Sequence, residues 1–158
     1  MHPRTQAFVE RTRNEYGFEP PIEEFPEGTK TAEDAAEAIG CSVAQIASSL
    51  AFEVDDRLVV AVTSGANRVD ESALAAHFDV DKSSVSMADP DRIKSTLGWS
   101  IGGVPPFCHD RDVPVVIDET LLEFETVWAA AGTPKAVFAI DPSTLRSYAG
   151  GDVIQLAE

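Results

Sequence analysis

The loop that begins at residue 101 carries the most specific arrangement of residues that could do chemistry. It reads Ile101-Gly-Gly-Val-Pro-Pro-Phe107, so two consecutive glycines precede two consecutive prolines. Glycine permits positive φ, whereas proline fixes φ and removes an N–H donor, so the pairs together restrict the backbone strongly. Such a loop can hold backbone N–H and C=O groups toward a ligand, as an oxyanion hole or a water-orienting site requires. The alternative interpretation is a tight turn between a helix and a strand.

Cys108 and His109 follow this loop directly and could act as a nucleophile and a base. Adjacent side chains usually diverge, however, so the hydrogen bond that such a pair needs is not expected. We expect Cys108 to line the site or to pack beneath it, with a thiol-dependent hydrolase as the weaker alternative. His109 could transfer a proton or contact a substrate; an exposed loop histidine is the other interpretation. The three histidines show no ligand spacing, so no metal site is expected.

Other candidate residues lie elsewhere in the chain. Ser49 could hydrogen-bond a substrate or simply end a strand, and Gly132-Thr133 could form a pocket wall or an ordinary turn. Trp99 and Trp128 could stack on a nucleobase, although packing in the core or at its rim is the expected role.

The charge of the chain is unusual, with 27 acidic and 12 basic residues and a formal net charge of −15. A hydrophobic content of 44% is too high for a disordered chain, and no D-x-D-x-D-G calcium loop occurs. An evenly acidic, lysine-poor surface suits a protein that works in concentrated salt, where self-repulsion is screened. Acidity argues against a nucleic-acid partner, but in high salt such binding depends on shape, hydrogen bonds and stacking.

The bulk properties predict a cytoplasmic protein with one domain. A chain of 158 residues would hold two full cores only with difficulty. The first 16 residues are charged throughout and do not resemble a signal peptide, and no apolar run approaches the roughly 20 residues that span a bilayer. The two cysteines are therefore expected to be reduced thiols.

Capping residues and hydrophobic patterns predict interspersed helices and strands. The expected helices cover residues 3–16, Thr31–Gly40, Asp70–Phe78, Asp89–Gly98 and Asp141–Ala149. The expected strands are Ser49–Val54, Leu58–Val62, Val85–Met87, Val113–Asp118, one within Phe124–Ala131, Ala136–Ile140 and Val153–Leu156, and Gly17–Gly28 is expected to be a loop. The elements do not alternate strictly, so an α+β fold is predicted, with a mixed sheet or partly closed barrel and helices packed outside it.

The Gly102–Pro106 segment resembles the GxxxP loop of the YbaK/prolyl-tRNA editing family. Further similar segments occur in the family's order, so that the resemblance covers about residues 22–156. They are Thr31–Gly40, Gln45-Ile46, Ser49–Phe52, Asn67–Asp70, Met87–Pro90, Ile117–Glu119 and Val127–Gly132. The resemblance implies one editing domain over residues 1–158, with residues 1–21 as an N-terminal helical extension.

The resemblance also implies an activity, hydrolysis of the ester that joins a mischarged amino acid to the terminal ribose of tRNA. Gly102 would use its backbone to position the scissile carbonyl or the attacking water, Gly103 and Val104 would shape the loop, and Pro106 would fix it. No cofactor and no metal are implied. The expected partner is the 3′ acceptor end of an aminoacyl-tRNA, by resemblance a proline tRNA, and a prolyl-tRNA synthetase is a candidate second partner.

The sequence departs from the family at two positions. Ser48 stands where the family usually has a lysine thought to contact the terminal adenosine or its phosphate, and a serine brings hydrogen bonds but no charge. Ala130 stands where relatives often carry serine, which changes the expected pocket. Ser48 is compatible with an altered substrate, with weaker substrate anchoring or with a non-catalytic member, so a tRNA- or protein-binding module is the alternative function.

Overall fold

The computed structural model describes residues 1–25 and 31–157, and within them the chain forms one mixed sheet with helices packed against it. The strands are β1 Ile22–Glu24, β2 Ile46–Val54, β3 Arg57–Ser64, β4 Val85–Met87, β5 Val115–Asp118, β6 Val127–Ala130, β7 Ala136–Ile140 and β8 Asp152–Ile154. The α-helices are α1 Pro3–Tyr16, α2 Ala32–Ile39, α3 Glu71–His77, α4 Pro90–Leu97 and α5 Pro142–Ala149. Short 3₁₀ turns occupy Val43–Gln45, Lys82–Ser84 and Glu119–Glu123.

The strand order is β1-β7-β6-β2-β3-β5-β8, and β4 is a further partner of β2. β2 and β3 form an antiparallel hairpin, whereas β3 with β5, β5 with β8 and β2 with β6 are parallel. The α+β class and the mixed sheet are as predicted. The two edge strands β1 and β8 are not paired with each other in the described residues, so the sheet is open rather than closed into a barrel.

The helix starts follow the local capping chemistry that the sequence predicts. Thr31 accepts a hydrogen bond from the backbone N–H of Asp34 at 3.1 Å, and Asp89 accepts one from that of Arg92 at 3.0 Å. The Asp70 side chain caps α3 in the same way. Each side-chain oxygen pairs with an N–H that the first helical turn leaves without a partner, so these starts are fixed locally.

The strand boundaries differ from the predictions where pairing is long-range. The predicted loop Gly17–Gly28 contains β1, which pairs antiparallel with β7, while residues 26–28 of that prediction lie outside the described residues. β2 begins at Ile46 rather than Ser49, because its first residues pair with β6. A short strand is stabilised by its neighbours, which local sequence does not reveal.

The core extends under α1 through a group of aromatic rings. Phe8 is fully buried, and its ring centroid lies 4.9 Å from that of Phe138. Tyr16, at the end of α1, stacks on Tyr148 at 4.2 Å and donates a hydrogen bond from its hydroxyl to the Tyr148 carbonyl. One face of α1 therefore packs against the main core. Within the described residues, the helices are too short or too polar to cross a membrane.

Candidate functional site

The candidate site lies at an interruption in the sheet beside β2. One edge of β2 pairs with β3 along almost its whole length. The other edge pairs with β6 only at Ile46 and Ala47, and with β4 only at Phe52–Val54. No strand of the described chain pairs with this edge at Ser49, so a gap opens between β6 and β4.

The register shows which backbone groups face the gap. The carbonyl of Ile46 accepts a hydrogen bond from Gly65 N–H, so Ile46 points its polar groups to the β3 side. Backbone polar groups alternate between the two edges of a strand, so those of Ser49 point the other way. The carbonyl of Ala51, two residues on, accepts from Ala88 N–H on the β4 side, as this alternation requires. Both the N–H and the C=O of Ser49 are therefore directed into the gap.

A cleft with a volume of about 240 Å³ occupies this gap. Its walls come from β2, the start of α2, α4, the loop after residue 100, and the β6–β7 hairpin. The lining residues are Thr31, Ala32, Ala35, Ile46, Ala47, Ser48, Ser49, Leu50, Ala51, Met87, Ile93, Ile101, Gly102, Val104, Trp128, Ala130, Thr133, Pro134, Ala136 and Val137.

The lining is small, mostly apolar and uncharged. None of the described lining residues is ionisable, although acidic residues outnumber basic ones by more than two to one in the chain. The polar groups are hydroxyls and backbone atoms. The Ser49 hydroxyl oxygen is buried and has no hydrogen-bond partner among the described residues; Thr5 has the same property but lies outside the cleft. A buried hydroxyl without a partner is uncommon and indicates a position where a ligand or water completes the pairing.

The Gly102 loop forms one rim of the cleft. Gly102 is exposed and has φ +88°, a backbone conformation that residues with a Cβ rarely adopt. Gly103 is buried, and a Cβ there would lie 2.7 Å from the Thr133 Cα, so only glycine permits this close approach to the β6–β7 hairpin. Glycine is thus favoured for two different reasons: the positive φ at Gly102, and the close contact with the β6–β7 hairpin at Gly103.

Hydrogen bonds hold this loop from behind. The indole N–H of Trp99 donates to the Cys108 carbonyl at 2.9 Å, which links the two ends of the loop. His109 places Nε2 2.8 Å from the Pro105 carbonyl, so the tautomer protonated there donates to it. Burial lowers the pKa of His109, although the Pro105 carbonyl acts in the opposite direction. His109 thus supports the loop from behind through its contact with the Pro105 carbonyl.

The cleft brings together six of the predicted site residues, Gly102, Val104, Ser48, Ser49, Ala130 and Thr133. The other four are Gly103, Pro106, His109 and Gly132, and they do not line it. Gly103 and Pro106 are buried within the loop, and Gly132 packs under Arg4 and Trp99. Of the two tryptophans, Trp99 is a core residue as expected, whereas Trp128 contributes to the cleft wall.

Cys108 does not have the properties of a nucleophile. Its side chain is buried, lies outside the cleft lining, and has its Sγ 3.5 Å from a carboxylate oxygen of Glu15. Burial, reinforced by the charge of Glu15, raises the pKa of the Cys108 thiol to about 12. The thiol is protonated at neutral pH, and a protonated thiol is a poor nucleophile. Cys108 packs behind the loop, so the interpretation of the protein as a thiol-dependent hydrolase is wrong.

Two rim residues were missed by the sequence analysis. Met87 and Ile101 line the cleft, yet their side chains are 57% and 54% exposed, unusually high for large apolar residues. Exposed apolar side chains next to a pocket are typical of a binding surface. In the sequence, only Ile101 could have indicated this rim, because it is an apolar residue directly before a glycine pair in a loop.

A second polar cluster surrounds Asp118 and is closed. Its buried carboxylate accepts hydrogen bonds from Ser64 N–H, Asn67 Nδ2 and Thr120 N–H, each at 3.0 Å, and from the Thr63 hydroxyl at 3.3 Å. Burial acts to raise the pKa of Asp118, but the hydrogen bonds outweigh it and the pKa is lowered. Asn67 and Asp118 lie in two of the segments that carry the sequence resemblance, and in this fold they hold β3, β5 and the following turns together.

Known proteins of similar sequence and structure extend over most of this chain. A Bacillus subtilis (strain 168) protein, YwhH, itself uncharacterised, is 31% identical over 128 residues, which cover 80% of each chain. A crystal structure of a protein proposed to be a trans-editing enzyme for prolyl-tRNA synthetase superposes with a TM-score of 0.92 at 34% identity and covers 100% of this chain and 99% of its own.

The proline–tRNA ligase of Staphylococcus haemolyticus (strain JCSC1435) is 26% identical over 102 residues, 65% of this chain but only 18% of the ligase. The similarity to this ligase is thus confined to one part of a much longer enzyme. Residues 26–148 match the aminoacyl-tRNA editing domain family. The chain therefore belongs to the aminoacyl-tRNA editing domain family.

Proposed function

We propose that this protein is a trans-acting deacylase that hydrolyses the ester of a mischarged tRNA, with a small amino acid on proline tRNA as its substrate. The observation that carries the proposal is Gly102, whose backbone is exposed at positive φ on the rim of an uncharged cleft. Family membership supports the reaction. Similarity to proline–tRNA ligases supports the choice of tRNA and a prolyl-tRNA synthetase as a partner.

The cleft size supports a small substrate side chain. Its volume of about 240 Å³ must hold the amino acid and part of the terminal ribose. Alanine side chains at Ala47, Ala51, Ala130 and Ala136 line it, and no described lining residue offers a charge to pair with a charged side chain. Alanine or cysteine would fit such a pocket. A second sieve of this kind is needed where a synthetase meets substrates that differ by a methylene or less.

The chemistry requires positioning more than proton transfer by a side chain. An aminoacyl ester is already activated, and no described lining residue can act as a charged general base. We propose that the Gly102 loop orients the attacking water or the scissile carbonyl, and that backbone donors stabilise the developing oxyanion, without a metal or a cofactor. Gly103, Pro106, His109 and Gly132 would act indirectly by holding the cleft walls in place.

The terminal adenosine would lie on the cleft rim. Ser48 lines the cleft and can hydrogen-bond a ribose or phosphate oxygen, although it lacks the charge of a lysine. Met87 and Ile101 offer exposed apolar surface for a base. If Ser48→Lys raises turnover sharply, substrate anchoring is the property that the serine weakens.

The setting that we propose is a salt-rich cytoplasm. A net charge of −15 repels tRNA phosphates at low ionic strength, and molar salt screens this repulsion. We also propose that residues 1–158 act as one editing unit with residues 1–21 as its N-terminal extension, which the packing of Phe8 in the main core supports.

The test is release of labelled amino acid from a panel of mischarged tRNAs in molar KCl. Gly102→Ala should lower deacylation by about a hundredfold, because small misplacements of a reacting group have effects of this size. Gly150→Ala is the matched control, since Gly150 also has positive φ (+66°) but caps α5 away from the cleft. Both variants should lose about 1–2 kcal/mol of stability, because each puts a Cβ at positive φ.

The panel also tests the alternative, a non-catalytic tRNA- or protein-binding module. The uncharged cleft and Ser48 favour this alternative, because both leave the site without a charged group. Binding of tRNA by the folded protein without ester cleavage of any species would establish the module and contradict the deacylase. Equal activity of Gly102→Ala and Gly150→Ala would remove the loop from the mechanism.

A further inference from the structure

The gap beside β2 is wide enough for one residue of extended chain. Pairing with β6 ends at Ala47, and the carbonyl of Ala51 is taken by Ala88 on the β4 side. These positions are four residues apart, or roughly 13 Å along a strand. Ser49 lies halfway, with its N–H and C=O directed into the gap. Ser49 therefore presents one donor and one acceptor to the gap, spaced as in a β-ladder.

An aminoacyl ester carries the complementary groups on one residue. Its α-ammonium donates hydrogen bonds, and its ester carbonyl oxygen accepts one. In an antiparallel hydrogen-bonded pair, two facing residues exchange both N–H···O bonds in this way. The α-ammonium also needs an acceptor, because no described lining residue of the cleft carries a negative charge. A strand carbonyl is the acceptor that the gap offers.

We propose that the amino acid of the substrate pairs with the backbone of Ser49 as a one-residue strand. The α-ammonium donates to the Ser49 carbonyl, and the Ser49 N–H donates to the ester carbonyl oxygen. This inference rests on the proposed deacylase function and names the group that recognises the substrate. Ser49 becomes a positioning residue through its backbone, distinct from its unpaired hydroxyl.

This arrangement would also assist hydrolysis. Water attacks the ester carbonyl carbon, the carbonyl oxygen gains negative charge, and the tetrahedral intermediate collapses to the free amino acid. One proton of the water leaves with the ribose oxygen, which departs as a hydroxyl, and the other is released to solvent. The Ser49 N–H faces the oxygen on which the charge develops, and hydrogen bonds to a charged oxygen are stronger than those to a neutral one. One strand residue thus recognises the amine and stabilises the transition state.

The experiment compares three esters of the same tRNA: the amino acid that the panel selects, its 2-hydroxy acid analogue and its N-acetyl derivative. For alanine, the first two are the alanyl and lactyl esters, which have nearly the same size. Each enzymatic rate is divided by the uncatalysed rate of that ester, because an α-ammonium activates the ester by itself.

The acceleration should fall about ten- to a hundredfold for the hydroxy acid, because a charged hydrogen bond to the Ser49 carbonyl is lost. The N-acetyl ester should not be hydrolysed. Equal acceleration of the amino and hydroxy esters would overturn this inference and leave the deacylase function standing. Absence of hydrolysis for every ester would overturn the deacylase function, and the inference with it.

Ser49→Ala separates the backbone from the side chain. This variant removes the hydroxyl but keeps the N–H and C=O that face the gap. The ratio between amino and hydroxy esters should remain within about twofold of the wild-type ratio. Loss of the discrimination in Ser49→Ala would assign amine recognition to the hydroxyl and overturn the backbone assignment.

Discussion

Asp118 on β5 and Ser49 on β2 are both polar residues in the interior of one sheet, but their surroundings differ. Four donors saturate the Asp118 carboxylate, and its lowered pKa reflects them. The Ser49 hydroxyl has no partner in the described chain, and its backbone faces a gap between strands. Leaving a buried polar group unpaired costs about 1–3 kcal/mol. The comparison separates a polar cluster that stabilises the fold from one that is open to a ligand.

The largest effect is expected from breaking the closed cluster. Asp118→Ala removes the acceptor that the Thr63 hydroxyl and the Ser64 and Thr120 N–H groups share, whereas Asn67 keeps its hydrogen bond to the Thr120 hydroxyl. The free energy of unfolding should fall by about 3 kcal/mol or more, measured by urea denaturation in molar KCl. The control Asp112→Ala removes an equal charge from an exposed position and should change stability by less than about 0.5 kcal/mol. A loss below about 1 kcal/mol for Asp118→Ala would show that the cluster is not stabilising.

The effect of pH on the stabilisation by the Asp118 cluster should be smaller than the effect of removing Asp118, and its sign can be predicted. The pKa of Asp118 lies below its ordinary value of 3.8, so its ionised form stabilises the folded protein above that pH. This contribution should be lost as the pH falls below about 4 and through the folded-state pKa. The difference in unfolding free energy between wild type and Asp118→Asn should therefore shrink between about pH 7 and about pH 3. A constant difference across this range would contradict the assignment.

The exposed apolar residues on the cleft rim, Met87 and Ile101, should affect substrate binding more than folding. Replacing Met87 and Ile101 together by serine removes exposed apolar surface at the cleft. KM should rise roughly five- to tenfold, with kcat nearly unchanged, because about 1 kcal/mol of apolar contact is lost. Steady-state deacylation kinetics measure the split, and thermal unfolding serves as the control. A fall in kcat at constant KM would place these side chains at the reacting atoms instead.

The smallest effect on stability is expected at Ser49 itself. Ser49→Ala removes a hydroxyl that no group of the described chain pairs, and with water completing its pairing in the free protein the free energy of unfolding should change by less than about 0.5 kcal/mol. Urea denaturation of the free protein measures the change. A loss comparable to that of Asp118→Ala would mean that the hydroxyl is paired in solution and that the cleft is closed there as well.

The sequence predicts the local features of this fold well, and those that depend on distant pairing less well. The helix starts at Thr31, Asp89 and Asp141 are confirmed, because a cap concerns residues only two or three positions apart. β1 was missed, because its three residues form a strand only against β7. The Gly102 loop was found from its glycines and prolines alone.

The gap beside Ser49 could not have been predicted from the sequence. It exists because β6 and β4 pair with the two ends of β2 and neither extends to the middle. Those partners lie roughly 30 to 80 residues further along the chain, and no local pattern specifies where such pairing stops. The roles of His109 and Gly132 behind the cleft likewise depend on contacts with Pro105 and Arg4 that only the folded chain makes.

The packing of α1 has a consequence for the order of events during synthesis. In this helix, Phe8 and Tyr16 are synthesised some 130 residues before the rings that they pack on, Phe138 and Tyr148. At ordinary translation speeds the helix waits on the order of ten seconds for its partners. Gly132, between cleft residues Ala130 and Thr133, packs directly under Arg4 of this helix. The nascent chain therefore completes this wall of the cleft only when α1 meets segments that are synthesised some 130 residues after it.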